Sequence, residues 1–303
     1  MRRLDNIDLR LIRIFVALAD AGGFNDAQIA LNLSQSTLST HIAALEKKLG
    51  GTLCERGRRG FRLTEFGRAT YAAAKHLFAD LEAFQARIGR EGQRLTGRLR
   101  IGIVDGVVTS PELGLQNALG RYRERAPEVF IDLWLATPLD LERAVADGDR
   151  DVVIGPMSQK ITGITYQPFY REPHALYCGR RHTLFGLEDA EIGQAEIEAA
   201  AFCVRGYLHF DDLYRAHHPR PEGTVMQMEG QVMMILSGAY IGFLPRHIGD
   251  GYVADGEMRA IRPQRYGFSS QHFVACRSAD RKLPLVSAFL EAMVGKRARA
   301  AAG

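Results

Sequence analysis

At 303 residues, 46% hydrophobic and 24% charged, the chain is ordinary globular material too long for most single cores, so two or three domains are expected. Its cysteines, Cys54, Cys178, Cys203 and Cys276, form neither a CxxC pair nor a disulfide framework. No apolar run approaches the roughly 18 residues of a membrane span, and Asp8, Arg10, Arg13 and Asp20 break up the basic N-terminus, so a reducing, cytoplasmic setting is expected. The net charge of +4 is uneven: residues 1 to 90 carry 14 Lys or Arg against 9 Asp or Glu, and the other residues 25 against 26, which suits an N-terminal module that meets a polyanion.

In chain order, residues 6 to 20 read as a helix whose apolar face is Ile7, Leu11, Ile14, Phe15 and Leu18, ended by AGG at 21 to 23. A short helix follows from about Asn25, a good N-cap, through Ala27, Ala30 and Leu31. Ser34 can then cap a third helix, SQSTLSTHIAALEKKLG, in which Leu38, Ile42, Leu45 and Leu49 make one buried stripe. The front of its other face carries Gln35, Ser36, Ser39, Thr40 and His41 without a formal charge, and Glu46, Lys47 and Lys48 are left to a solvated rear. Short hydrogen-bonding side chains at a helix start suit base edges in the DNA major groove, where Gln can pair bidentately with adenine and Ser or Thr can meet either base type.

TLCER and FRL then alternate like two strands around a GRRG tip. Arg56, Arg58, Arg59 and Arg62 cluster there, read as a wing on the phosphate backbone against the plainer alternative of a solvated charge run. Thr64 can cap a long helix to about Gly89, along which Leu77, Leu81, Phe84 and Ile88 recur as a coiled-coil seam; the alternative is packing on the chain's own core.

From FVALADAGGF to LTEFG the chain resembles the winged helix-turn-helix of LysR-type transcriptional regulators. The likeness rests on Phe15, Phe24, Ala27, Leu31, Ser34, Gln35, Ser36, Ser39, Ile42, Leu45, Glu46, Leu49, Gly50, Leu53, Arg56, Leu63, Thr64 and Gly67. It implies a double-stranded DNA operator as partner, contacted from Gln28, Ser34, Gln35, Ser36, Thr37, Ser39, Thr40 and His41 on the helices and from the four wing arginines. The chain departs from the family at Gln28, Ile29, Cys54, Thr40 and His41. The last two stand where many members carry Arg and Gln, so the likeness does not predict the operator.

Beyond residue 96, RLRIGIV, VFIDLWLA and DVVIGP read as strands alternating with helices, which implies parallel βαβ units. The element order and SGAYIGFLP are similar to the family's effector domain, a two-lobed fold like a periplasmic binding protein. The expected fold is α/β with an N-terminal all-α winged helix-turn-helix. Its expected divisions are 1–63 for DNA binding, 64–92 for a linker and dimerisation helix, and 93–303 for effector binding. Lobe I would take about 97–162 and 267–303, and lobe II about 163–266.

Strand ends facing helix starts nominate Val107, Val108, Thr109, Ser110, Thr137, Arg205, Gly206, Tyr207, Glu229 and Gln231 as effector contacts. Hydroxyls and amides at helix starts, with Arg205 as a clamp, would suit a carboxylate; the plain reading is helix caps and a surface charge. His209, Asp211, Asp212, His217 and His218 lack a recognised ligand spacing, and Cys178 and Cys203 lack the surroundings of a redox pair, so no metal or cofactor is expected. No GxSxG, phosphate loop or HExxH marks an enzyme. The resemblance implies a homodimer through 64–92, a homotetramer, and RNA polymerase as partner if the protein activates. A catalytic α/β protein and a DNA binder indifferent to ligands remain the alternatives.

Overall fold

The structure, a computed structural model, describes residues 6–57, 60–88, 95–158, 160–207 and 209–294. It separates into two compact units, Met1–Gln85 and Ala86–Gly303. In the first, α1 (Asn6–Asp20), α2 (Phe24–Leu31) and α3 (Gln35–Leu49) precede a hairpin, β1 (Cys54–Gly57) with β2 (Gly60–Leu63), and then α4 (Glu65–Ile88). The expected stripes form the core: Leu11, Ile14, Phe15 and Leu18 of α1 pack with Leu38, Ile42 and Leu45 of α3. Ser34 caps α3, its side chain accepting from the Thr37 amide at 3.2 Å. The cap expected at Asn25 is not used. Phe24 is drawn into the core against the Phe61 ring, edge to face at 6.0 Å, so α2 starts there with Gly23 as an N-cap that has no side-chain bond.

Two further links close the unit. Thr64 caps α4 by accepting from the Gly67 amide, and its hydroxyl donates to the Thr52 carbonyl. Glu46, expected in the solvated rear of α3, is half-buried and accepts the Leu53 amide at 2.7 Å. The hydrogen-bond demand of the backbone leaving the helix outweighs solvation of that charge. Gly67 faces the same strand so closely that a Cβ there would lie 1.9 Å from the Leu53 carbonyl oxygen.

The second unit is built on a mixed sheet in the order β10-β6-β11-β5-β3-β4, with β9 also on β6. Strands β3 (Thr96–Ile103), β4 (Glu128–Leu135) and β5 (Val152–Gly155) are parallel, with α5 (Leu115–Arg125) and α6 (Pro138–Ala146) as crossovers. The expectation of parallel units holds only there. Among the described residues no helix separates β5 from the 16-residue β6 (Ile164–Gly179), which pairs antiparallel with β9 (Ile241–Pro245), β10 (Met258–Ile261) and β11 (Phe268–Arg277). A side ribbon pairs β7 (Cys203–Arg205) with β8 (Gly223–Val225). Around these pack α7 (Gln194–Ala199), α8 (His209–Ala216), α9 (Met228–Leu236), α10 (Arg246–Ala254), α11 (Pro263–Tyr266) and α12 (Pro284–Val294).

The lobes change within strands, not at 162/163 and 266/267 as the sequence suggested. Ile164 and Tyr170 of β6 and Val274 of β11 pack with the β3–β5 core, whereas Leu176 and Cys178 of β6 and Phe268 of β11 pack with Phe202 and Phe243. One long antiparallel pair therefore runs through both lobes, with a register shift between His272 and Phe273.

Near that shift lies a buried polar cluster. The Glu172 carboxylate is 3.2 Å from His247 Nε2, 3.2 Å from His272 Nε2 and 3.4 Å from His174 Nε2, and Tyr170 donates its hydroxyl to it at 3.3 Å. Burial by itself would raise the Glu172 carboxyl, but hydrogen bonds from His247 and His272 and the neighbouring charges hold it well below the usual range. His174, stacked on Phe268 at 4.7 Å, is pushed down to about 3 by burial, with the Arg205 charge adding to the shift.

Two outcomes follow for stability. Gly67→Ala should cost about 1–3 kcal/mol through overpacking, seen as an earlier transition in thermal unfolding of the full chain; an unmoved transition would mean that the Leu53 carbonyl can give way. His174 stays neutral in the folded state while the unfolded chain gains a proton below the ordinary histidine value of 6.5, so stability present above that pH is lost as pH falls. Between the ordinary His and Glu values, 6.5 and 4.5, His174→Gln should flatten the dependence of urea unfolding free energy on pH by up to roughly 1.4 kcal/mol per pH unit. Parallel wild-type and variant slopes would contradict the buried neutral imidazole.

Candidate DNA-binding face and effector crevice

The front of α3 stands out from the first unit. Ser34, Gln35, Ser36 and Thr40 are exposed, and Thr37, Ser39 and His41 half-buried. Ser39 donates its hydroxyl to the Gln35 carbonyl at 2.6 Å and Thr40 to the Ser36 carbonyl at 2.9 Å. The Ser34 hydroxyl also lies 2.9 Å from that of Ser36 and 2.8 Å from that of Thr37. Gln28 is half-buried on α2. In the hairpin Cys54 pairs with Leu63 and Gly57 with Gly60, and Arg62 is exposed. Arg58 and Arg59 lie outside the described residues, and Arg56 is placed by its backbone in β1. On α4, Leu77 and Phe84 are exposed, while Ala74, Tyr71 and Phe78 pack on the unit's own core. The helix thus serves its own unit with one side and leaves part of the expected seam uncovered.

In the second unit a crevice of about 850 Å³ opens between the lobes. Val108, Thr109 and Glu229 line it, and Thr137 lines an adjoining hollow of about 450 Å³. The two spaces share Asp105, Leu135 and Gln227. Asp105 follows the end of β3, and its carboxylate accepts the Met228 amide at the start of α9, joining one lobe to the other. Burial raises its carboxyl above the ordinary 3.8, the nearby Glu229 charge adding to the shift. His247, which reaches the crevice from α10, joins its Nδ1 to the Thr109 hydroxyl at 2.8 Å and its Nε2 to Glu172.

Other sequence candidates lie elsewhere. Arg205 is buried and forked onto Asp212 through Nε at 3.0 Å and Nη2 at 2.5 Å, its own amide bonding the same carboxylate at 3.1 Å. It is a structural ion pair rather than a clamp: diverting the guanidinium to a ligand would strand a buried carboxylate, a penalty of about 3–5 kcal/mol. Gln231 is equally committed, donating to the Cys203 carbonyl at 2.8 Å and accepting from its thiol. The Gly206 amide bonds the Val225 carbonyl, and burial raises the Tyr207 hydroxyl to about 12. Val107 is in the core, and Ser110 is buried with its oxygen toward the Leu113 amide. Sequence reasoning missed Asp105 and His247. Asp105 directly follows RLRIGIV, where the strand-end rule could have found it; nothing local marks His247.

No cluster of His, Cys, Asp and Glu among the described residues could hold a metal. Asp212 is spent on Arg205, and His218 on the Arg220 and Ala200 carbonyls. Burial raises the Cys178 and Cys203 thiols to about 11, the opposite of an activated pair. No helix of the described residues is long and apolar enough to cross a membrane.

Comparison with known proteins agrees with this geometry. The family described as bacterial regulatory helix-turn-helix protein, lysR family, matches residues 9–68, and the LysR substrate binding domain matches residues 92–298. The HTH-type transcriptional activator BauR of Pseudomonas aeruginosa is 36% identical over 96% of each chain, and the HTH-type transcriptional regulator CbbR of Sinorhizobium medicae 25% identical over 97% of this chain and 95% of its own. The fold matches a full-length OxyR variant from Pseudomonas aeruginosa, with a TM-score of 0.66, 20% identity and coverage of 97% and 96%. It also matches CbnR, a LysR family regulator, at 0.63 and 19%, with coverage of 94% and 97%. With both of its units matched in order, the chain belongs to the LysR family and is a LysR-type transcriptional regulator, with a helix-turn-helix DNA-binding domain and a substrate-binding domain.

Proposed function

We propose that this regulator reads an interrupted palindrome as a cytoplasmic homotetramer, built from dimers joined through residues 64–92, and answers to a small molecule held between its effector lobes. The observation that carries the DNA half is the front of α3, exposed, capped by Ser34 and free of formal charge from Gln35 to Ala44. Glutamates there would repel phosphates, whereas Gln35, Ser36 and Thr40 can meet base edges. Arg62, with Arg56, Arg58 and Arg59, supplies attraction that does not depend on sequence. The uncovered Leu77 and Phe84 of α4 support dimerisation, and a two-fold dimer matches a two-fold operator.

The effector half rests on the crevice lined by Val108, Thr109 and Glu229, with Thr137 in the adjoining hollow. A ligand there that prefers one lobe arrangement shifts the oligomer between DNA-bending states, and thereby its contact with RNA polymerase where it activates. The ligand is sensed, not consumed: saturable binding without product is the expected result, and turnover beyond stoichiometry would make the protein an enzyme instead. A footprint unchanged by every metabolite tried would favour the ligand-indifferent binder.

Substitution separates the two kinds of DNA contact. Gln35→Ala should cost about 1–3 kcal/mol at particular base pairs and little elsewhere. Arg62→Ala should weaken all sequences alike and lower the slope of log affinity against log salt by about one. Binding to a panel of single-base operator variants at several salt concentrations measures both, and uniform loss from Gln35→Ala would remove α3 from the base-reading role.

A further inference from the structure

The crevice carries a charge pattern opposite to the one the sequence suggested. Asp105, Glu229 and Asp255 line it, Asp140 lines the adjoining hollow, and neither lining contains a Lys or an Arg. The guanidinium expected to clamp a carboxylate, that of Arg205, is locked onto Asp212. A carboxylate effector entering this space would meet three acidic side chains and leave its own charge uncompensated.

A second observation, independent of the acids, points the same way. The Glu172 carboxylate can only accept, so His247 Nε2, 3.2 Å from it, carries the hydrogen. The Thr109 hydroxyl lies 2.8 Å from His247 Nδ1 and lines the crevice, and its oxygen keeps at least one lone pair for a ligand donor whichever of the two supplies the hydrogen between them.

We infer that the effector of this regulator bears an ammonium or similar cationic nitrogen donor, held by the Asp105 and Glu229 carboxylates and the Thr109 hydroxyl, while Val108, Leu135 and Met228 take its apolar part. The inference rests on the crevice being the effector site. The acids do not make the site; they decide what charge it accepts. The carboxylate class suggested by the helix starts is displaced, because the amide of Met228 at the head of α9 already bonds the Asp105 carboxylate.

The test is calorimetric titration of the full chain with short-chain n-alkylamines and n-alkanoates of matched length. Members that bear an ammonium should bind and the alkanoates should not, and Asp105→Asn, Glu229→Gln and Thr109→Val should each weaken the best binder by about tenfold or more. Glu229 is exposed, so its variant keeps the test open should Asp105→Asn fail to fold. The inference is overturned if alkanoates bind as tightly as amines. It is equally overturned if no ammonium-bearing member binds below about 10 mM, or if the three substitutions leave binding unchanged. Val108→Trp, which fills the crevice from an exposed position, separates this from failure of the site itself. An amine whose binding survives Val108→Trp moves the effector site elsewhere; an alkanoate whose binding Val108→Trp abolishes keeps the site and overturns only the class.

Discussion

The effector unit hangs on one carboxylate. Glu172 sits near the middle of the long β6–β11 pair, the element shared by both lobes, and accepts there from Tyr170 of its own strand, His272 of β11 and His247 of α10. A buried charge needs its full complement of donors or it becomes a large penalty. The three elements are therefore held in register by a group that cannot be left half-satisfied. The same requirement puts a hydrogen on His247 Nε2, and Nδ1 of that ring in turn meets the Thr109 hydroxyl at the crevice.

A second buried pair, Arg205 with Asp212, does comparable service in lobe II, tying the end of β7 to α8 by a bidentate fork. Its consequence for function is what it withholds. A guanidinium spent on a structural carboxylate is not available to an effector, and the acids of the crevice stand unopposed. Charge in this protein is thus segregated: a basic excess in the first third, and an acidic crevice in the remainder.

Much of the first unit was legible in the chain because its contacts are local. The Ser34 cap, the Leu38, Ile42 and Leu45 stripe, the pairing of Cys54–Gly57 with Gly60–Leu63 and the Thr64 cap each lie within a few residues of the groups they satisfy. Glu46 was misread because its partner, the Leu53 amide, lies past the end of the helix and belongs to the turn into the wing. In the second unit the parallel β3–β5 core followed from alternation. The antiparallel return of β6 did not, since nothing in a strand's composition states its direction.

The sequence by itself determined the family, the order of elements, the charge division between the units and the uncharged front of α3, because helical periodicity, capping and an ordered motif are written in neighbouring residues. Only the tertiary structure decided which polar residues are free. Arg205 looked like a clamp until folding brought it onto Asp212, and Asp105 and His247 were inconspicuous until Met228, Thr109 and Glu172 closed on them from up to 138 residues away in the chain. The availability of a side chain to a ligand is what remains after its internal partners are satisfied, and those partners are chosen by the packing of distant segments, which no local pattern records.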